Sequence, residues 1–153
     1  MSHVAAIDIQ IDPGPDGMKA LAAACKELGL TFVPHQKTYQ WFGTWVNDYG
    51  AADAAYRNGI DPKDYGKCEH AIQMPGCTYE IGVVKRPDGK GLTLIYDFYG
   101  PGSKIKNALG QGCEKLKQFY GVHKATLAAK AKGYMVARKT LTDGTIKLQV
   151  TGV

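Results

Sequence analysis

The amino-acid sequence predicts an α+β fold: a mostly antiparallel sheet with two main helices packed on one face. Two turn signals point there first. Pro87-Asp88-Gly89-Lys90 and Thr142-Asp143-Gly144 each lie between β-prone runs and read as hairpins, whose short connections make neighbouring strands antiparallel. Two other stretches carry apolar residues at helical spacing and end in glycine. The coarse order is β-α-β-β, a variable segment, then β-β-β-α-β-β. It hints at two similar β-α-β-β halves, without residue-level repetition.

Taken in order, residues 3–11 alternate apolar and polar in their second half, as a strand with one buried face does. Asp12 to Gly17 forms a turn, with Asp16 as the expected N-cap. Met18, Leu21, Ala22, Cys25 and Leu28 then share a helix face, and Gly29 stops the helix. Leu30–Pro34 reads as a short strand, and Tyr39 to Val46 as an aromatic, β-prone run. Residues 47–76 form a variable, loop-rich segment in which Ala51–Tyr56 reads as a turn or two of helix and Cys68–Met74 as a strand. Cys77–Lys85 and Leu92–Tyr99 are the two arms of the first hairpin. Ser103 is placed to cap a helix. Ile105, Leu109, Gly112, Leu116, Phe119 and Tyr120 follow the helical period, and that helix is expected to run on to Gly133. Tyr134–Leu141 and Thr145–Val150 are the second hairpin.

The chain has 153 residues, 44% apolar and 22% charged, which suits one domain over residues 1–153 with a real core. No apolar run approaches the roughly 20 residues that span a bilayer, and Met1-Ser2-His3-Val4 lacks the pattern of a secretory signal. A cytoplasmic protein with no membrane partner is therefore expected. Cys25, Cys68, Cys77 and Cys113 are scattered, with no pair at two-residue spacing, so free thiols are expected and no metal site. The formal charge is +5. Its lysines read as spread along the chain, not massed in a stripe. That permits an anionic ligand and makes nucleic acid an unexpected partner.

The sequence carries no recognisable catalytic apparatus. A Cys–His dyad would have to be assembled by folding, from Cys68 or Cys77 with His70 or His123. Gly100-Pro101-Gly102-Ser103-Lys104 stands between a strand and a helix, where backbone N–H groups attract phosphate and Lys104 adds charge. The phosphate-loop pattern itself is absent, and a plain turn with a helix cap is the blander reading. Tyr39, Trp41, Phe42, Trp45 and Tyr49 cluster. Such rings either fill the core or offer stacking surfaces worth about 1–3 kcal/mol per base. Lys37, Lys67, Lys85 and Arg86 are the cations expected beside them. Asp97 and Glu80, each set in an apolar strand, are expected to face solvent or to pair with lysine.

A wider pattern runs through the chain. It comprises Tyr79-Glu80-Ile81-Gly82-Val83-Val84, the strand Leu92–Phe98, the run Leu116 to Ala125, Ala129-Lys130-Ala131-Lys132-Gly133-Tyr134 and the Asp143-Gly144 hairpin. Ser2-His3 and Glu27-Leu28-Gly29-Leu30 fit it at the N-terminus. In this order and spacing the chain resembles, over nearly its whole length, the uncharacterised family named after hypothetical chloroplast open reading frame 35. Members of that family occur in chloroplast genomes, cyanobacteria, other bacteria and phages. The resemblance implies no activity, cofactor or catalytic residue. The chain departs from it most over residues 47–76.

Together these readings favour a non-enzymatic protein that binds an anionic, nucleotide-like small molecule without a cofactor. Sequestration of a signalling nucleotide by a phage protein is one form of that function. The expected contact residues are Lys37, Tyr39, Trp41, Trp45, Tyr49, Lys67, Arg86, Ser103 and Lys104. A homo-oligomer would help to close such a pocket. The alternative is an adaptor that serves a larger protein machine through exposed aromatic side chains and an open strand edge.

Overall fold

The computed structural model describes residues 3–43 and 59–152. Trp45, Tyr49 and the turn of helix expected at Ala51–Tyr56 lie outside the described residues.

The elements are β1 (Val4–Ala6), α1 (Pro15–Glu27), β2 (Thr31–Pro34), β3 (His70–Gln73), β4 (Glu80–Lys85), β5 (Leu92–Asp97), α2 (Ser103–Leu109), α3 (Glu114–Ala131), β6 (Met135–Thr140) and β7 (Ile146–Thr151). The α+β class is as the sequence predicts. Five strands make one antiparallel sheet in the order β1-β5-β4-β3-β2, and β6 and β7 make a separate two-stranded ribbon. The two halves of the chain thus share one sheet, because β1 pairs with β5 from the other half.

Period-2 alternation sorts the strands onto two faces. Ile72 of β3, Ile81 and Val83 of β4, and Leu92, Leu94 and Tyr96 of β5 face the helices. There they pack with Leu21 and Cys25 of α1, Ile105 and Leu109 of α2, and Leu116 and Tyr120 of α3. The opposite face carries Ala71, Gly82, Thr93, Ile95, Glu80 and Asp97. It too is covered, by chain leading away from β2 and back into β3. Thr38 bridges Lys67, Tyr39 N–H donates to Gly66 O (2.9 Å) and Cys68 N–H donates to Lys37 O (2.9 Å). Val4, Tyr39, Tyr65, Cys68, Ala71 and Ile95 form a second apolar cluster there. The sheet is therefore buried on both sides, which is why all six residues of β5 are buried.

Several boundaries differ from the sequence expectation: β3 and β4 start at His70 and Glu80 rather than at Cys68 and Cys77, and the described part of the aromatic run from Tyr39 forms no strand. The first strand is only Val4–Ala6, although the chain rejoins the sheet at Ile11, which bridges Leu92. Helix α1 begins at Pro15, so Asp16 lies in its first turn and is not its N-cap: Gly14 is the N-cap, with no side-chain capping bond, and proline supplies a helical φ in the first turn. The expected long helix is two helices. Gly110 at φ +92° and Cys113 at φ +50° break the ladder between α2 and α3, so Gly112 belongs to the break and not to a helix face. Ser103 makes no capping bond, because a single 3₁₀ turn at Gly100–Gly102 leads directly into α2.

The ribbon stands on the helices. The Glu27 carboxylate at the end of α1 accepts from Arg138 of β6 (2.6 Å) and pairs with His123 of α3 (2.6 Å). Arg138 also lies 5.3 Å over the Phe119 ring, and Gln118 donates to Gly144 O in the ribbon's turn (2.9 Å). Glu27 is held below the usual carboxylate range, chiefly by the Arg138 hydrogen bond.

Candidate functional site

The second face of the sheet carries the site, and two buried carboxylates organise the chain over it. Glu80 accepts from the backbone N–H of Gln40 (2.9 Å) and from the Gln36 side-chain amide (3.1 Å). Asp97, with no exposed surface, accepts from the backbone N–H groups of His3 (3.1 Å), Tyr99 (3.1 Å) and Phe42 (3.3 Å). Both were expected to face solvent or lysine. Strand phase overrules that: both belong to the alternate set of strand positions that the crossing chain covers, and backbone amides take the place of a cation. Asp12 plays a similar role at the start of α1, where its carboxylate accepts from Gly14 N–H (2.9 Å) and pairs with Lys124 (3.3 Å).

Beside this tethered chain lie two adjoining concavities that share Ile60, Arg86 and Pro87. The first, about 340 Å³, is bounded by Ala6, Asp8, Asp88 and Thr93 as well. The second, about 440 Å³, has an apolar floor of Ile60, Val84 and Ile95 and a charged rim that includes Lys67, Lys85, Asp61, Asp64 and Glu69. Cations and carboxylates alternate around that rim. Lys67 lies 3.8 Å from Asp64, Lys85 lies 3.8 Å from Glu69, and Lys37 lies 3.0 Å from the other oxygen of Glu69. These exposed pairs are weakly held and open to exchange with a ligand. The Lys37 hydrogen bond is the main reason that Glu69 sits below the usual carboxylate range.

Arg86 is fixed more firmly. It follows the last β4 residue and enters the Pro87-Asp88-Gly89-Lys90 turn, which Lys90 N–H closes on Asp88 (2.9 Å). Its Nη1 donates to Ile9 O (2.6 Å), while Nε and Nη2 grip Asp88 (3.1 and 2.8 Å). That grip, with the Lys90 N–H, holds the Asp88 carboxyl down at about 2. The guanidinium is thus a pre-oriented wall between the two concavities.

The residues named from sequence separate into groups. Lys67 and Arg86 line the groove, and Lys37 reaches its rim through Glu69. Tyr39 is a correction: it is interior, 3% exposed, because the absence of a side chain at Gly82 leaves room for its ring against the sheet. Trp41 is half-buried, edge-on to Tyr65 with ring centroids 5.5 Å apart, and its indole nitrogen packs against Gly66. Ser103 and Lys104 do not join the groove. Lys104 donates to Gly76 O (2.8 Å) and straps the chain beyond β3 to α2. Sequence reading missed Ile60, Val84 and Ile95 as a common floor. The phase of Val84 and Ile95, opposite to Val83 and Leu94, was the available signal.

Three of the four cysteine thiols are held protonated by burial. Burial pushes Cys25 and Cys113 up to about 12. Cys68, which borders the groove, is raised to about 11, first by burial and then by Glu80. No Cys–His hydrogen bond forms among the described residues. Cys77 Sγ lies 3.3 Å from Pro101 O, His70 Nδ1 accepts from His35 N–H (2.9 Å), and His123 is engaged with Glu27. No cluster of three or more metal-ligating side chains occurs among the described residues, and no helix there is long and apolar enough to cross a membrane.

Fold and site together define an α+β protein with an open, mixed-charge groove over the second face of its sheet. No family model, curated protein or solved structure matches the chain.

Proposed function

We propose that the protein is a non-enzymatic binding protein that holds, or sequesters, an anionic nucleotide-like small molecule in the groove of Lys67, Lys85 and Arg86. The carrying observation is the convergence of these three cations on a floor made by Ile60, Val84 and Ile95. A planar heterocycle lies on the apolar floor, and its phosphate takes the ammonium groups from their loose pairs with Asp64 and Glu69. The released carboxylates then accept from sugar hydroxyls or exocyclic amino groups, donors that a nucleotide carries and a simple phosphate lacks. Two features favour binding over catalysis: the groove thiol is held protonated, and the imidazoles are committed to other partners.

The test is isothermal titration of the full chain with a panel of mono-, cyclic and dinucleotides beside inorganic phosphate. The expected result is saturable binding of at least one nucleotide, with inorganic phosphate much weaker. Lys67→Gln combined with Lys85→Gln is expected to weaken binding at least about tenfold, in line with the loss of two charge-assisted contacts. If no member of the panel binds, or if the double variant binds as tightly as the parent chain, the proposal fails.

A further inference from the structure

The second site lies far along the chain from the groove, on the C-terminal ribbon. From Lys115 to the C-terminus the sequence has eight Lys or Arg and one Asp, a surplus of seven, whereas the whole chain has a surplus of five. The remainder is therefore net acidic. The surplus positive charge of the chain lies in this C-terminal stretch, on α3 and the β6–β7 ribbon. Lys124 and Arg138 are paired, with Asp12 and Glu27. Lys130, Lys132, Lys139 and Lys147 form no ion pair with any described residue.

Strand register decides which of these charges face outward. Val136, Arg138, Leu148 and Ile146 occupy the face toward the helices, as the Arg138 contacts with Glu27 and Phe119 show. The other face holds Met135, Ala137 and Lys139 opposite Thr151, Gln149 and Lys147, and all six are exposed. Lys139 and Lys147 are direct cross-strand partners. Like charges placed opposite each other destabilise a ribbon, so this pair is a cost to the fold that an external anion would offset. A concavity of about 390 Å³ lies along the ribbon, with Ala137, Lys139, Lys147 and Gln149 in its lining.

We infer that the β6–β7 ribbon is a docking surface for duplex DNA, entered through the major groove. Shape and charge both bear on this choice. Six-residue strands are about 20 Å long, and the roughly 12 Å major groove of B-form DNA admits a two-stranded ribbon. The A-form RNA major groove is too narrow for it. Lys139 and Lys147 face phosphates, Gln149 and Thr151 offer polar groups to base edges, and Lys130 and Lys132 sit where α3 runs into the ribbon. An anionic membrane is a poorer fit, since Met135 is the one large apolar side chain on the outward face.

The experiment is fluorescence anisotropy of a labelled 20-base-pair duplex titrated with the full chain between 50 and 200 mM salt. With four lysines on phosphates, the expected log–log salt slope is about −3.6. Lys139→Gln with Lys147→Gln is expected to reduce that slope by about 2 and to weaken binding roughly ten- to hundredfold at 50 mM salt. Thermal stability is expected to stay the same or rise, because the like-charge pair is removed. The groove substitutions Lys67→Gln and Lys85→Gln are expected to leave DNA affinity unchanged, which separates this site from the nucleotide groove. Three outcomes would overturn the inference: no duplex binding at 50 mM salt up to about 100 μM protein, full affinity in the Lys139/Lys147 variant, or capture by phosphatidylserine vesicles through the same lysines with none by the duplex.

Discussion

Removal of Asp97 is the most demanding test of how the second face of the sheet is held. Its carboxylate is fully buried and accepts three backbone N–H donors, from His3, Tyr99 and Phe42. Hydrogen bonds to a charged acceptor contribute about 1.5–3 kcal/mol each, offset by the cost of burying the charge. Asp97→Ala leaves all three donors without that acceptor, and two of them lie near enough to the surface to recover water. The expected loss is about 3–5 kcal/mol. For a chain of this size that corresponds to a fall of roughly 6–20 °C in Tm. Asp97→Asn keeps an oxygen for the His3 and Tyr99 amides and turns an NH2 toward the Phe42 N–H, so about 1–2 kcal/mol is expected. Guanidinium unfolding gives both numbers. Amide exchange in the Asn variant adds the local reading: Phe42 loses protection, while Gln40, held by Glu80, keeps it. A cost below about 1 kcal/mol for Asp97→Ala, or equal loss of protection at Phe42 and Gln40, would refute the reasoning.

Other perturbations follow from the same contacts. A Cβ at Gly82 would stand 2.7 Å from Tyr39 Cε1, so Gly82→Ala is expected to cost about 3 kcal/mol. A double-mutant cycle with Tyr39→Leu should recover at least about 1 kcal/mol of it in denaturant unfolding. Thiol labelling of the native chain is expected to modify Cys77 first and Cys68 slowly, while Cys25 and Cys113 react only on unfolding, since burial holds their thiols protonated at about 12. His70 is held below the ordinary 6.5 by burial first, then by His35 and Lys37. The unfolded chain therefore takes up that proton before the native one does. Stability is expected to be complete above pH 6.5 and to fall as pH drops through 6.5 toward the lower native pKa. His70→Gln should remove that part of the pH dependence in denaturation curves taken between pH 5.5 and 7.5.

Much of the fold was legible because local chemistry and tertiary structure agree. The two Asp-Gly turns and the strand phases of Ile81/Val83 and Leu92/Leu94/Tyr96 read correctly, since short turns impose antiparallel pairing and the apolar face meets the helices. The expected long helix failed at Gly110–Cys113 because helical spacing continues across the break. Two positive φ values interrupt it, one of them at a non-glycine residue, which spacing does not reveal. The site was half legible. Lys67 and Arg86 were found as cations near aromatic side chains, but Tyr39 was read as a contact surface. Its burial depends on Gly82, 43 residues away and across the sheet, a pairing that only register supplies. Asp97 and Glu80 were misread because a carboxylate in an apolar strand was assumed to seek water or lysine. The backbone N–H groups that satisfy them come from chain remote in sequence.

Methyl-labelled NMR during a nucleotide titration addresses the groove most directly. With a nucleotide that binds, the shifts are expected at the Ile60, Val84 and Ile95 methyl groups, while Val136 and Leu148 beneath the ribbon stay in place. Shifts that spare all three floor residues, or that fall on the ribbon methyls alone, would contradict the assignment of the groove as the small-molecule site.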